Sequence, residues 1–188
     1  MSKKRSQPSD LDPFALKSSR VHEAEGQGRF AFAAYQMGQH AGAIYWINLE
    51  GQADGLLPQE LHANLHERVH FVEVATENDL LWATEEALRA EPVGLVITLP
   101  EKPLSLTVGR RLQLAAEAGQ TTGLILIREG QGSNAAETRW KCEPLPSEED
   151  STLHHWLLNK NKSGTLGDWI VSWDGKTPAC HMVEKVRK

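Results

Sequence analysis

The residues whose spacing comes closest to a known chemistry are Glu23-Ala24-Glu25-Gly26-Gln27-Gly28-Arg29-Phe30. A phosphate-binding loop has the pattern G-x-x-x-x-G-K-[ST] between a strand and a helix. Its glycines let backbone N–H groups wrap phosphates, its Lys reaches the β and γ phosphates, and its hydroxyl holds Mg²⁺. With Gly28 on the second glycine, Glu23 replaces the first, Arg29 replaces Lys and Phe30 replaces Ser or Thr. Glu23 and Glu25 would repel a triphosphate, and Arg does not substitute for Lys at a crowded point-charge site. Gly26 and Gly28 therefore read as a tight strand-to-helix turn, and ATPase activity is not expected.

Other candidates are thinner. Glu50, at the end of the run Trp46-Ile47-Asn48-Leu49, stands where a carboxylate would activate water. Alone it reads as a surface group, because catalysis also needs phosphate and metal held in line. A Mg²⁺-supporting Asp would stand at the end of Val93–Leu99, where Thr98 and Leu99 occur instead, so no metal role is assigned there. His62 and His66 are i, i+4 neighbours near His70, but no Cys or carboxylate constellation supports zinc, and a solvated helix edge is simpler. Arg110, Arg111, Arg139 and Lys141, with Trp140 between two cations, have the make-up of a single-strand stacking surface. An exposed helix face plus an edge strand explains them more simply. Lys160 and Lys162 join them as candidate nucleic-acid or partner contacts. No Ser/His/Asp or Cys/His arrangement is visible, and no cofactor is expected.

The elements that must position these residues follow from periodicity. Val21–Glu25 reads as a short strand, although only Val21 and Ala24 are apolar. Arg29–His40 is alanine-rich and helical, stopped by Ala41-Gly42. Ala43–Asn48, Val69–Val74, Val93–Leu99 and Gly123–Ile127 are apolar runs typical of buried strands. Leu57, Leu61 and Leu65 predict a helix over Pro58–Glu67. Thr76 and Asp79 resemble a capping box opening a helix to about Ala90, with Leu80, Leu81, Thr84, Ala87 and Leu88 as its buried stripe. Ser105 or Thr107 caps a helix to Ala118. Strands alternating with helices imply an α/β fold with a mainly parallel sheet. Gly130–Asn134 reads as a flexible loop. Thr138–Glu143, Leu153–Leu158 and Asp168–Trp173 read as antiparallel strands, with turn-rich Asn159–Gly167 between the last two.

The chain has 188 residues, 40% hydrophobic and 24% charged, with net charge −5, which fits one folded domain. The expected division is a flexible tail over 1–20, in which Phe14-Ala15-Leu16 can dock, a domain over 21–175 and a basic tail over 176–188. Cys142 and Cys180 give no disulfide framework, no apolar run approaches a membrane span, and residues 1–10 do not form a secretory signal. A cytoplasmic location is the expectation.

Several segments resemble the RecA-like superfamily and, within it, the ImuA family of SOS mutagenesis accessory proteins. These are Val21-His22-Glu23 with its turn, Ile47-Asn48-Leu49-Glu50, Leu81–Arg89, Arg110–Glu117, Thr138-Arg139-Trp140 and Leu158-Asn159-Lys160-Asn161-Lys162. The resemblance implies a RecA-like three-layer fold in a damage-induced protein. It further implies an adaptor for an ImuB-type polymerase-like protein and for RecA in error-prone translesion synthesis. A second family, the SulA-like division inhibitors, resembles the same core without a phosphate loop and would bind FtsZ. A weak nucleotide-binding protein using Glu50 is the third reading.

Overall fold

A computed structural model describes residues 12–52, 63–147, 152–175 and 179–186. The elements, in chain order, are β1 (Val21–Glu25), α1 (Arg29–Gln39), β2 (Ala43–Leu49), α2 (Ala63–His66), β3 (Val69–Val74), α3 (Glu77–Arg89) and β4 (Val93–Thr98). There follow α4 (Leu106–Gly119), β5 (Thr122–Leu126), β6 (Thr138–Leu145), β7 (Thr152–Asn161), β8 (Gly167–Trp173) and β9 (His181–Lys185). The nine strands form one sheet in the order β3-β2-β4-β5-β1-β6-β7-β8-β9. Every pair from β3 to β6 is parallel, and β6 to β9 are antiparallel.

Strand side chains alternate between two apolar layers. Ile44, Trp46, Leu95, Ile97 and Leu124 pack with Phe32, Ala33 and Met37 of α1. Ile47, Val96 and Ile125 pack with Leu80, Leu88, Leu112 and Ala116 of α3 and α4. Helices on both faces of a mainly parallel sheet give the RecA-like three-layer layout expected from the sequence.

Local signals place the two helices of the second layer. Thr76 accepts the Asp79 amide at 3.2 Å, and Ser105 accepts the Val108 amide at 3.2 Å. In α3 the buried positions are Leu80, Thr84, Glu85 and Leu88, whereas Leu81 and Ala87 are half-buried. Glu85 enters because it joins Arg89 at 2.7 Å and also pairs with Arg111 of α4. Of the helix expected over Pro58–Glu67, residues 58–62 lie outside the described residues, and α2 is the described part.

Two stretches differ from the sequence expectation. Strand β7 continues to Asn161, inside the stretch read as turn. Residues His181–Lys185, assigned to the basic tail, pair with β8 as an exposed edge strand. Phe14, expected to dock from the N-terminal segment, does so: it is buried edge-on against Trp156 and Trp169, with ring centroids 4.9 and 5.5 Å away.

Candidate functional site

Strand β1 ends beneath the glycine turn, and its neighbour β6 runs parallel beside it, with Glu23 opposite Arg139 and Glu25 opposite Lys141. Past the end of β1, the backbone of β6 lies against the turn. The Gly28 amide donates to the Cys142 carbonyl at 2.8 Å. Gly26 adopts φ +90°, and a Cβ there would stand 2.4 Å from the Cys142 oxygen. Only glycine fits that combination of handedness and approach. The Glu143 carboxylate accepts the Gln27 amide at 3.4 Å. An internal carboxylate thus takes an amide that, in a phosphate loop, faces the ligand.

The residues in the Lys and hydroxyl positions are also engaged. Arg29 donates to the Gly26 carbonyl at 3.0 Å and lies over the Phe30 ring, 4.5 Å from its centroid. Phe30 stacks on Trp46.

Both carboxylates expected to flank a phosphate face inward instead. Glu23 is 1% exposed; it accepts the Ser133 amide at 2.8 Å and pairs with Arg139 Nε at 2.8 Å. Burial pushes its pKa above the usual carboxylate range, against the pull of the Ser133 amide and Arg139. Glu25 accepts the Gly130 amide at 3.0 Å and Asn159 Nδ2 at 3.1 Å. The stretch read as a flexible loop, Gly130–Asn134, is therefore pinned by β1 at two points. Lys160 Nζ donates to the carbonyls of Ser133, Asn134 and Ala136 at 2.7–3.0 Å. Burial lowers its pKa, with Arg139 adding to the effect.

The remaining candidates are dispersed. Glu50 is exposed, its amide bonded to the Val74 carbonyl at 2.9 Å. Thr98 is 1% exposed and turned toward α3, sharing a hydrogen bond with Thr84 at 3.1 Å. His62 lies outside the described residues, and His70 packs on Tyr45. Trp140 does not stack on a nucleic acid: it is 1% exposed, between Phe14, Phe32 and Trp169. Lys141 pairs with Glu129, and Arg111 with Glu85. Lys162 Nζ donates to the Ala135 carbonyl at 2.6 Å, and Arg110 is exposed on α4. Cys142 is fully buried, and burial raises its pKa well above the usual thiol value, so it is not a nucleophile.

Sequence reasoning missed Glu143 and His22. His22 is fully buried, with Nδ1 2.7 Å from Thr138 Oγ1 and Nε2 2.9 Å from the Lys17 carbonyl. Burial lowers its pKa to about 4. No signal within its own strand marks either residue, because the Thr138 hydroxyl and the Gln27 amide lie more than 100 residues away in sequence.

A cleft of about 210 Å³ remains at the carboxyl ends of β2, β4 and β5, lined by Gln52, Leu99, Glu101, Leu126, Arg29 and Arg128. This is where open α/β sheets bind ligands. Among the described residues, no helix is long and apolar enough to cross a membrane.

No family model matches the chain. The chain is 31% identical over 150 residues to protein ImuA from two strains of Caulobacter vibrioides, a match covering 69% of this chain. It spans 60% of the length of those relatives. The similarity makes the chain an ImuA-like protein.

Proposed function

We propose that the chain is a non-catalytic accessory protein of SOS-induced mutagenesis. In this reading it serves as an adaptor for an ImuB-type polymerase-like protein and RecA during error-prone translesion synthesis in the cytoplasm. The similarity to ImuA supports the pathway. One observation carries the non-catalytic half: β6 and Glu143 fill the turn from within, through the bonds from Gly28 to Cys142 and from Gln27 to Glu143. A triphosphate would have to displace both, and would find no Lys and no hydroxyl in return.

The test is a pull-down of the purified chain with an ImuB-type protein and with RecA at micromolar concentration, beside an ATP turnover assay. Retention of both partners without turnover is expected. Failure to retain either partner overturns the adaptor reading, and ATP turnover overturns the non-catalytic one. Cell filamentation on overexpression, with FtsZ retained in place of those partners, would establish the SulA-like alternative.

A further inference from the structure

The second apolar layer carries a groove that the occupied turn does not explain. Helix α4 exposes Leu106 (45%) and Leu114 (62%), with Arg110 between them at i+4 and i+8 spacing. Between this stripe and the chain around Ala135 lies a groove of about 450 Å³, lined by Leu106, Arg110, Gln113, Leu114, Ala135 and Lys162. Its far wall is fixed. Gln113 Nε2 donates to the carbonyls of Val21 (2.8 Å) and Ala135 (3.1 Å), and Lys162 Nζ donates to the same Ala135 carbonyl at 2.6 Å. Gly109 brings the wall close, since a Cβ there would stand 2.6 Å from that of Ala135. A groove whose walls are held before binding loses little freedom on filling.

Its chemistry selects an occupant. The floor is leucine and alanine. The charges on its rim are Arg110 and Lys162, and none of its lining side chains among the described residues is a carboxylate. Arg110 has no ionic partner among the described residues. No aromatic side chain lines the groove, so bases would find no stacking platform. We propose that this groove docks an acidic amphipathic helix of a partner protein, leucine-type anchors filling it and carboxylates meeting Arg110 and Lys162. The inference stands apart from the adaptor reading, which concerns which proteins bind and not where.

The experiment uses the full chain and three fluorescent probes in anisotropy titrations. One is a helical alanine-based peptide with leucines at i, i+4 and i+7 flanked by glutamates. The second has lysines in place of the glutamates, and the third is a single-stranded oligothymidine. The glutamate peptide is expected to bind with Kd of about 1–100 µM. Leu114→Glu and Arg110→Glu are each expected to weaken it by about tenfold or more. In Arg110→Glu the lysine peptide should bind more tightly than the glutamate peptide. Both positions are exposed, so unchanged melting curves are expected to exclude unfolding. The proposal is overturned by no binding of the glutamate peptide at about 1 mM, by equal binding to wild type and Leu114→Glu, or by tighter binding of the oligothymidine lost in Arg110→Glu.

Discussion

Acid should weaken the fold through His22. Its ring is fully buried and neutral, held by Thr138 and the Lys17 carbonyl. The unfolded chain protonates it near pH 6.5 and the folded chain near about 4. The folded pKa is depressed, so between those values the unfolded state binds more protons and stability rises with pH. The contribution is fully present above about pH 6.5 and is lost as pH falls toward 4. Linkage puts the loss at pH 5 at about 2 kcal/mol, approaching about 3 kcal/mol at pH 4. His40 and His154 shift in the same direction by burial, so the wild-type slope alone is not diagnostic. The assay is urea unfolding at pH 7 and pH 5 for wild type and His22→Gln, comparing the change in each protein. Wild type should lose about 2 kcal/mol more than the variant across that interval. Comparing pH changes within each protein keeps the result readable even if His22→Gln is less stable overall. Equal losses in the two proteins would refute the argument that His22 is neutral in the fold.

The internal bonds around the turn give further expectations. Arg139→Ala leaves Glu23 buried without its cation and should cost about 3–5 kcal/mol in urea unfolding; a cost below about 1 kcal/mol would mean the pair is not structural. Gly26→Ala meets a left-handed backbone and a 2.4 Å contact, and a loss of about 2–5 kcal/mol is expected from the melting curve. Thr76→Ala removes the α3 cap and should cost about 1 kcal/mol by the same measurement. Restoring the Lys and hydroxyl of a phosphate loop with Arg29→Lys and Phe30→Thr should yield no calorimetric heat with ATP and Mg²⁺, because Cys142 and Glu143 still fill the turn; measurable binding would show that Arg29 and Phe30 alone silence it.

The parallel half of the sheet was legible because its signals are local. Runs such as Ile44–Leu49 and Leu95–Leu99 are apolar on both faces, and Thr76 and Ser105 cap their helices within four residues. Strand β1 was the weakest of the set because three of its five residues are polar, yet all five are buried. The partners of Glu23 are Ser133 and Arg139, those of Glu25 are Gly130 and Asn159, and the side-chain partner of His22 is Thr138. All lie more than 100 residues away in sequence, where no pattern within the strand reports them. Trp140 carries a different lesson. Two cations beside an aromatic suggested a stacking surface, but period-two alternation sends Trp140 to the opposite face from Arg139 and Lys141. That alternation was the signal for its burial.

The same geometry explains why the carboxylates at the turn are compatible with the fold. In a phosphate loop the turn amides and a cation converge on an external anion. Here the anions are internal, and each fastens a segment that would otherwise be a loop. Glu143 receives the Gln27 amide, Glu25 the Gly130 amide, and Glu23 the Ser133 amide with Arg139. Ser133 also contacts Gly109, and its neighbour Ala135 forms the wall of the α4 groove. Glu23 is therefore mechanically continuous with that groove: Glu23 holds the Ser133 amide, and the 133–135 stretch stands against Gly109 and Gln113 of α4. The Glu23 carboxylate beneath the turn and the shaped surface on α4 are, in this chain, two ends of one set of bonds. Glu23→Gln should accordingly loosen the 133–135 wall, read as faster amide hydrogen exchange at Ser133 and Ala135. Unchanged exchange at those amides would separate the two ends.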